Sequence, residues 1–156
     1  MKTIILFLFA SLILMSCDND CSNPNKYSYN PANGKCEKCN GEEGFNPVDY
    51  NQICSTKNAE CTDLSNLNLV YLLDTAAIDN FTELGYNILQ DYNFKGCKFD
   101  TSTLYFNHIY GASFEGADLS NLSYGYAVVT GKTDEFTILP ITGTCTTTAD
   151  SCDCAQ

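Results

Sequence analysis

Ten cysteines, at positions 17, 21, 36, 39, 54, 61, 97, 145, 152 and 154, are the residues of this 156-residue chain best equipped for chemistry. The spacing in Cys36-Glu37-Lys38-Cys39 is that of a thiol–disulfide redox site or of half a zinc site. A redox pair of that kind opens a helix after a strand. Here the neighbouring Asn30-Pro31, Asn33-Gly34 and Asn46-Pro47 are turn signals and predict loops. Zinc needs a second pair at matching spacing, which the chain lacks. So many cysteines in a small chain instead indicate an oxidising compartment and structural bridges. Cys21, Cys36, Cys39, Cys54, Cys61, Cys145, Cys152 and Cys154 are the disulfide candidates, and a thiol–disulfide oxidoreductase working through Cys36 and Cys39 is the enzymatic alternative. Other catalytic sets are missing. His108 is the only histidine, so a serine or cysteine nucleophile has one candidate base of the commonest kind. Glu42-Glu43 and Asp134-Glu135 read as solvated loop charges, and Asp18, Asp20, Asp63 and Asp118 do not space as a calcium loop. The expectation is a non-enzyme with no metal and no cofactor.

Lys2 followed by the apolar run from Ile4 to Met15 has the charged start and short core of an export signal, below the roughly 20 residues needed to span a bilayer. Its end, Leu14-Met15-Ser16-Cys17, resembles the lipobox of bacterial lipoproteins. That resemblance implies cleavage before Cys17, lipidation of Cys17, a membrane as partner, and a place in the cell envelope facing outward. Several acyl chains, at about 0.8 kcal/mol per buried methylene, hold a protein far better than one. Asp18-Asn19-Asp20 would then be an acidic tether. The alternative is an ordinary signal cut nearby and a freely secreted, cysteine-rich glycoprotein, for which Asn80-Phe81-Thr82 and Asn121-Leu122-Ser123 match the acceptor pattern.

Removing residues 1–16 leaves seven lysines, no arginine and nineteen acidic residues, a formal charge of 7 − 19 = −12. Phosphate backbones repel such a surface, which excludes nucleic acid as a ligand. Tyr105, Phe106, Tyr110 and Tyr126 are candidates for a contact patch toward a protein or glycan, because surface aromatics supply contact area with little entropy loss.

The elements that must position these residues follow an unusual period. Phe94, Phe99, Leu104, Ile109, Phe114, Leu119, Tyr124 and Val129 recur every five residues, and small side chains (Cys97, Ser102, Asn107, Ala112, Ala117, Ala127) fall two before most of these centres. Neither helix nor strand has that period, so repeats are the first thing to look for. Ala117-Asp118-Leu119-Ser120-Asn121 resembles the consensus of the pentapeptide-repeat family, and Ala112-Ser113-Phe114-Glu115-Gly116 differs from it mainly at the Asp/Asn position.

The resemblance covers residues 92–131, with an outer frame from 62 to 139. It implies an all-β fold, a short right-handed quadrilateral β-helix with four pentapeptides per coil. Residues twenty apart should stack: Phe94 on Phe114, Phe99 on Leu119, Leu104 on Tyr124, Ile109 on Val129. Aspartates at 74, 79 and 134 interrupt the frame and predict a loop over 72–81 and an end to the coil near Gly131. Cys97, in a small inward position, is expected as a buried thiol.

The chain divides into a signal peptide (1–16), an acidic tether (17–20), a disulfide-rich module (21–61), the repeats (62–131) and a C-terminal cap or tail (132–156). Six large apolar side chains in 21–61 are too few for a core without covalent help. With five candidate cysteines before the repeats and three after, full oxidation requires at least one bridge between the two ends.

Overall fold

The structure, a computed structural model, describes residues 23–69, 87–104, 107–125, 128–141, 144–148 and 151–155. The expected export signal, lipobox and tether, the expected loop over 72–81, and Tyr105, Phe106 and Tyr126 lie outside these residues.

The first elements come from turn chemistry. Asn30 and Asn33 fold their side-chain oxygens onto the amides of Ala32 and Lys35, at 3.0 Å each, and Gly34 takes a left-handed φ of 70°. The chain therefore reverses, and β1 (Ser28–Asn30) pairs antiparallel with β2 (Lys35–Glu37). Helix α1 (Tyr50–Thr56) follows, capped by the Asp49 carboxylate on the Gln52 amide at 3.0 Å and stopped by Lys57 in the left-handed region. Seven residues are too few to persist alone. Ile53, fully buried, anchors this helix on the main core. The turn-rich sequence hides both elements, and the expectation of loops alone over 21–61 is corrected.

From Asn58 onward, described segments of the chain lie side by side and run in the same direction. β3 (Asn87–Gln90) pairs in parallel with β4 (Asn107–Ser113), which pairs in parallel with β5 (Val128–Lys132). Between these strands the chain makes single parallel bridges: Asn93 to Ser113, Lys98 to Asp118, Thr103 to Ser123 and Asp118 to Ile138. All of these partners are twenty residues apart. The upstream bridges Asn58 to Asn93, Asp63 to Lys98 and Asn68 to Thr103 are thirty-five apart, so the first pass carries fifteen extra residues before the register resumes.

Five corners are turned in the same way. Asn58, Asp63, Asn93, Asp118 and Asp134 each accept, through a side-chain oxygen, the amide two residues on, at 3.0–3.1 Å. Such Asx turns favour Asn and Asp at these positions.

Inside, Phe94, Phe99, Leu104, Ile109, Phe114, Leu119, Tyr124 and Val129 are all buried, with Cys97, Ala112 and Ala117 among them. Phe94 stacks on Phe114 with ring centres 5.5 Å apart and planes 11° off parallel. Ser102, also buried, satisfies its hydroxyl on the Phe99 carbonyl at 2.7 Å.

The all-β, right-handed quadrilateral β-helix expected from the five-residue pattern is nevertheless corrected. The described residues form two separate sheets and no closed or solenoid sheet, and they include a helix. One sheet is the β1–β2 hairpin. The other runs β3-β4-β5-β7-β6, in which β7 (Ser151–Ala155) and β6 (Thr144–Thr148) add antiparallel strands to the edge of β5. Only one direction of the passes gains extended ladders. The others are joined by one paired residue at a time.

Candidate functional site

The β1–β2 hairpin is pressed onto the passes through two glycines twenty residues apart. Gly96 and Gly116 have φ of 63° and 69°, and a methyl group on either would collide with the hairpin: with the Cys36 sulfur at Gly96, and with the Tyr29 ring at Gly116. Glu60 ties the same parts together. One oxygen of its carboxylate accepts the Tyr29 amide at 2.9 Å and the other the Asn93 carboxamide at 3.1 Å. Cys36 and Cys61 are joined by a disulfide that closes a separation of 25 residues, the kind of loop for which a bridge contributes about 3 kcal/mol in the chain-entropy account.

The Tyr29 hydroxyl ends on the carboxylate of Asp134. Asp134 is the residue that interrupts the apolar frame, and the interruption has a use. Its Oδ1 accepts the amides of Gly116 at 2.8 Å and Phe136 at 3.1 Å and the Thr137 hydroxyl at 2.9 Å. Burial alone would raise the Asp134 pKa, but these donors and Tyr29 outweigh it and hold the carboxyl below the usual range. Tyr29 shifts the other way, well above the ordinary phenol value. Burial is the largest cause, followed by its hydrogen bond to Asp134 and the negative charges of Asp134, Glu115 and Glu135.

A depressed carboxyl adds stability that is complete above about pH 4 and fades as pH falls through the folded value. A raised phenol adds stability that is complete below about pH 10 and fades as pH climbs toward the folded value. The melting temperature should therefore hold across neutral pH and drop at both extremes. In Tyr29→Phe the alkaline drop should shrink relative to the parent, as circular-dichroism melts between pH 2 and 11 would show. An unchanged alkaline limb would refute the Tyr29 assignment.

Beside this junction lies an open cleft of about 380 Å³. Gly96 and Gly116 contribute to its lining, together with Lys35, Glu43, Lys98, Asp118 and Phe45, which is 42% exposed. A second cleft, of about 430 Å³, is lined by Asn23, Asn25, Asn46, Gln52, Asp49 and Glu60 among others. The thiol of Cys97 also lines the first cleft. Charges of both signs, carboxamides and one exposed ring line these surfaces.

The cysteines of the sequence-predicted site fall in different places. Cys36 is bridged to Cys61, and Cys39 is held in a disulfide as well, so Cys36 and Cys39 do not form a redox pair with each other. Cys54, on α1 and half-buried, remains a thiol with an interaction of its own, which corrects its place among the bridged residues. That leaves Cys21, Cys36, Cys39 and Cys61 before the passes, an even number, and a bridge between the two ends is no longer required. Cys97 is a buried thiol. It donates to the Ala59 carbonyl at 2.8 Å, and burial pushes its pKa up to about 12. The strands carrying Cys145, Cys152 and Cys154 are described by their backbone.

Of the aromatic patch, Tyr110 is described. It is 40% exposed and stacks on His108 with ring centres 6.1 Å apart. His108 is half-buried rather than fully exposed, and burial lowers its pKa. The five-residue spacing carries no trace of the hairpin junction. Its signal was present in the sequence as glycines repeated at the twenty-residue interval, Gly96 with Gly116. Compared with known protein families, with curated proteins and with solved structures, the chain matches none.

Proposed function

We propose that this chain is an exported, non-catalytic module, anchored to a bacterial membrane through a lipidated Cys17 and presenting a rigid acidic surface to a protein or glycan ligand. The observation that carries the reading is the use made of the CxxC cysteines. Both are in disulfides, and Cys36 reaches Cys61 instead of its sequence neighbour. This supports an oxidising compartment and a structural use of the CxxC cysteines. The cleft beside the Tyr29 junction, with Phe45 at its rim, is the surface offered to the ligand. The lipobox-like Leu14-Met15-Ser16-Cys17 supports the anchor.

The test is the intact mass of the protein from its own host, before and after reduction and alkylation. The expected species starts at Cys17 and carries acyl mass. A species without lipid, or one bearing glycan, overturns the anchor in favour of free secretion. For that second reading, Asn121 of the acceptor triplet is exposed. A protein that reduces a model disulfide with both Cys36 and Cys39 trapped as thiols would restore the enzyme.

A further inference from the structure

The sheet ends on an antiparallel pair whose register places two cysteines opposite each other. In the β6–β7 pairing Thr144 faces Ala155, Cys145 faces Cys154, Thr146 faces Asp153, Thr147 faces Cys152 and Thr148 faces Ser151. Directly opposed residues of an antiparallel pair have Cα atoms about 4.5–5.5 Å apart, inside the span of about 4.4–6.8 Å that a disulfide requires. The other pairings of the three tail cysteines fit less well. Cys145 and Cys152 are diagonal neighbours, about 7–8 Å apart. Cys152 and Cys154 are two residues apart along one extended strand, about 6.6 Å at 3.3 Å per residue, with a single residue between them to bend. The direct register partners of Cys152 are Thr147 on β6 and Gly131 on β5, and neither carries a thiol.

We propose that Cys145 and Cys154 form a disulfide that fastens β6 to β7 across the end of the five-stranded sheet. In its formation the two thiols give up two protons and two electrons. A disulfide carrier accepts them, leaves as two thiols, and a new sulfur–sulfur bond joins β6 to β7. The consequence is architectural. β7 covers the edge that β5 would otherwise expose, and β6 becomes the outer edge strand with the uncharged sequence Thr144-Cys145-Thr146-Thr147-Thr148. An uncharged edge is a template for pairing with another chain. A covalent link holds this strand to its own sheet and restricts it from straying. The inference shares with the proposed function the need for an oxidising environment, and the test supplies that environment directly.

The full chain is refolded in a mixture of glutathione and glutathione disulfide, its remaining thiols are alkylated, and it is cut on the N-terminal side of aspartate. Asp134, Asp150 and Asp153 place the three cysteines on separate fragments, 134–149, 150–152 and 153–156. The expected product joins the Cys145 fragment to the Cys154 fragment, and the same product should form in Cys152→Ser. Alkylation of Cys145 or Cys154 in the oxidised chain, or linkage of either to any other cysteine, overturns the proposal. Either result leaves the export reading to its own test, the acyl mass at Cys17.

Discussion

Phe114→Ala should cost the fold about 3–5 kcal/mol, the range for removing a buried phenylalanine from a core that cannot fully collapse. That is a large part of the 5–15 kcal/mol by which domains are normally stable. The site has little freedom to close. The Phe114 ring is fully buried, stacked on Phe94 at 5.5 Å and tilted against Phe99 at 6.5 Å. A methyl group on Gly131 would come within 2.7 Å of it. Around it the backbone is fixed by the Phe114 amide on the Lys132 carbonyl at 2.8 Å and by the Ala117 amide on the Phe114 carbonyl at 2.9 Å. Alanine therefore leaves a cavity and deletes aromatic pairs, each worth about 0.5–1.5 kcal/mol beyond area. Lysine at the same place would bury an unpaired charge and unfold the chain.

The comparison residue is Glu135, which is exposed, and its replacement by alanine should change stability by no more than about 0.5 kcal/mol. Glu115, outward on the five-residue pattern, is a poor control, because its side chain is 19% exposed and paired with Lys95 at 3.4 Å. Urea unfolding followed by circular dichroism measures all three proteins. A Phe114→Ala loss below about 1 kcal/mol would show that the stacked column does not carry the core.

Phe114 was legible in the sequence because its burial is a property of the local pattern. The five-residue recurrence identified the buried centres, and the Asn and Asp residues beside them mark the Asx turns. The register of twenty was legible for the same reason. The architecture was not, since the pattern reports which side chains go inward and says nothing about which passes become strands. The antiparallel β6–β7 pair belongs to a tail without the period. The hairpin was missed because Tyr29, counted among too few apolar residues to make a core, finds its core on the passes sixty-seven and more residues downstream, at Gly96 and Gly116. Asp134 shows the limit most clearly. As an apolar-frame position it is a defect, whereas in the fold it is the acceptor for Tyr29, Gly116, Phe136 and Thr137. Contacts at that separation leave a trace in sequence only as a residue out of place.

Gly116→Ala puts that junction to the test. A methyl group at Gly116 would lie against two ring atoms and the hydroxyl oxygen of Tyr29, closer than any real contact at the nearest of them, 2.7 Å from the second ring atom and 2.9 Å from the oxygen. Two costs combine. The left-handed backbone, φ 69°, costs an alanine roughly 1–2 kcal/mol, and forcing an extra carbon into a filled space costs about 1–3 kcal/mol more. Gly41→Ala separates them. Gly41 has a φ of 80° and nothing within 4 Å of the position a Cβ would take, so it pays the backbone cost alone. The expected order in denaturant unfolding is the parent, then Gly41→Ala about 1–2 kcal/mol lower, then Gly116→Ala about 2–5 kcal/mol lower. Displacing the Tyr29 ring also pulls its hydroxyl from Asp134, so Gly116→Ala should lose the alkaline part of the pH profile that Tyr29→Phe loses, while Gly41→Ala keeps it. Equal losses for the two glycine variants would mean that the hairpin rests on the passes without being keyed into them, and the junction would then be a contact of convenience rather than the feature that fixes the cleft.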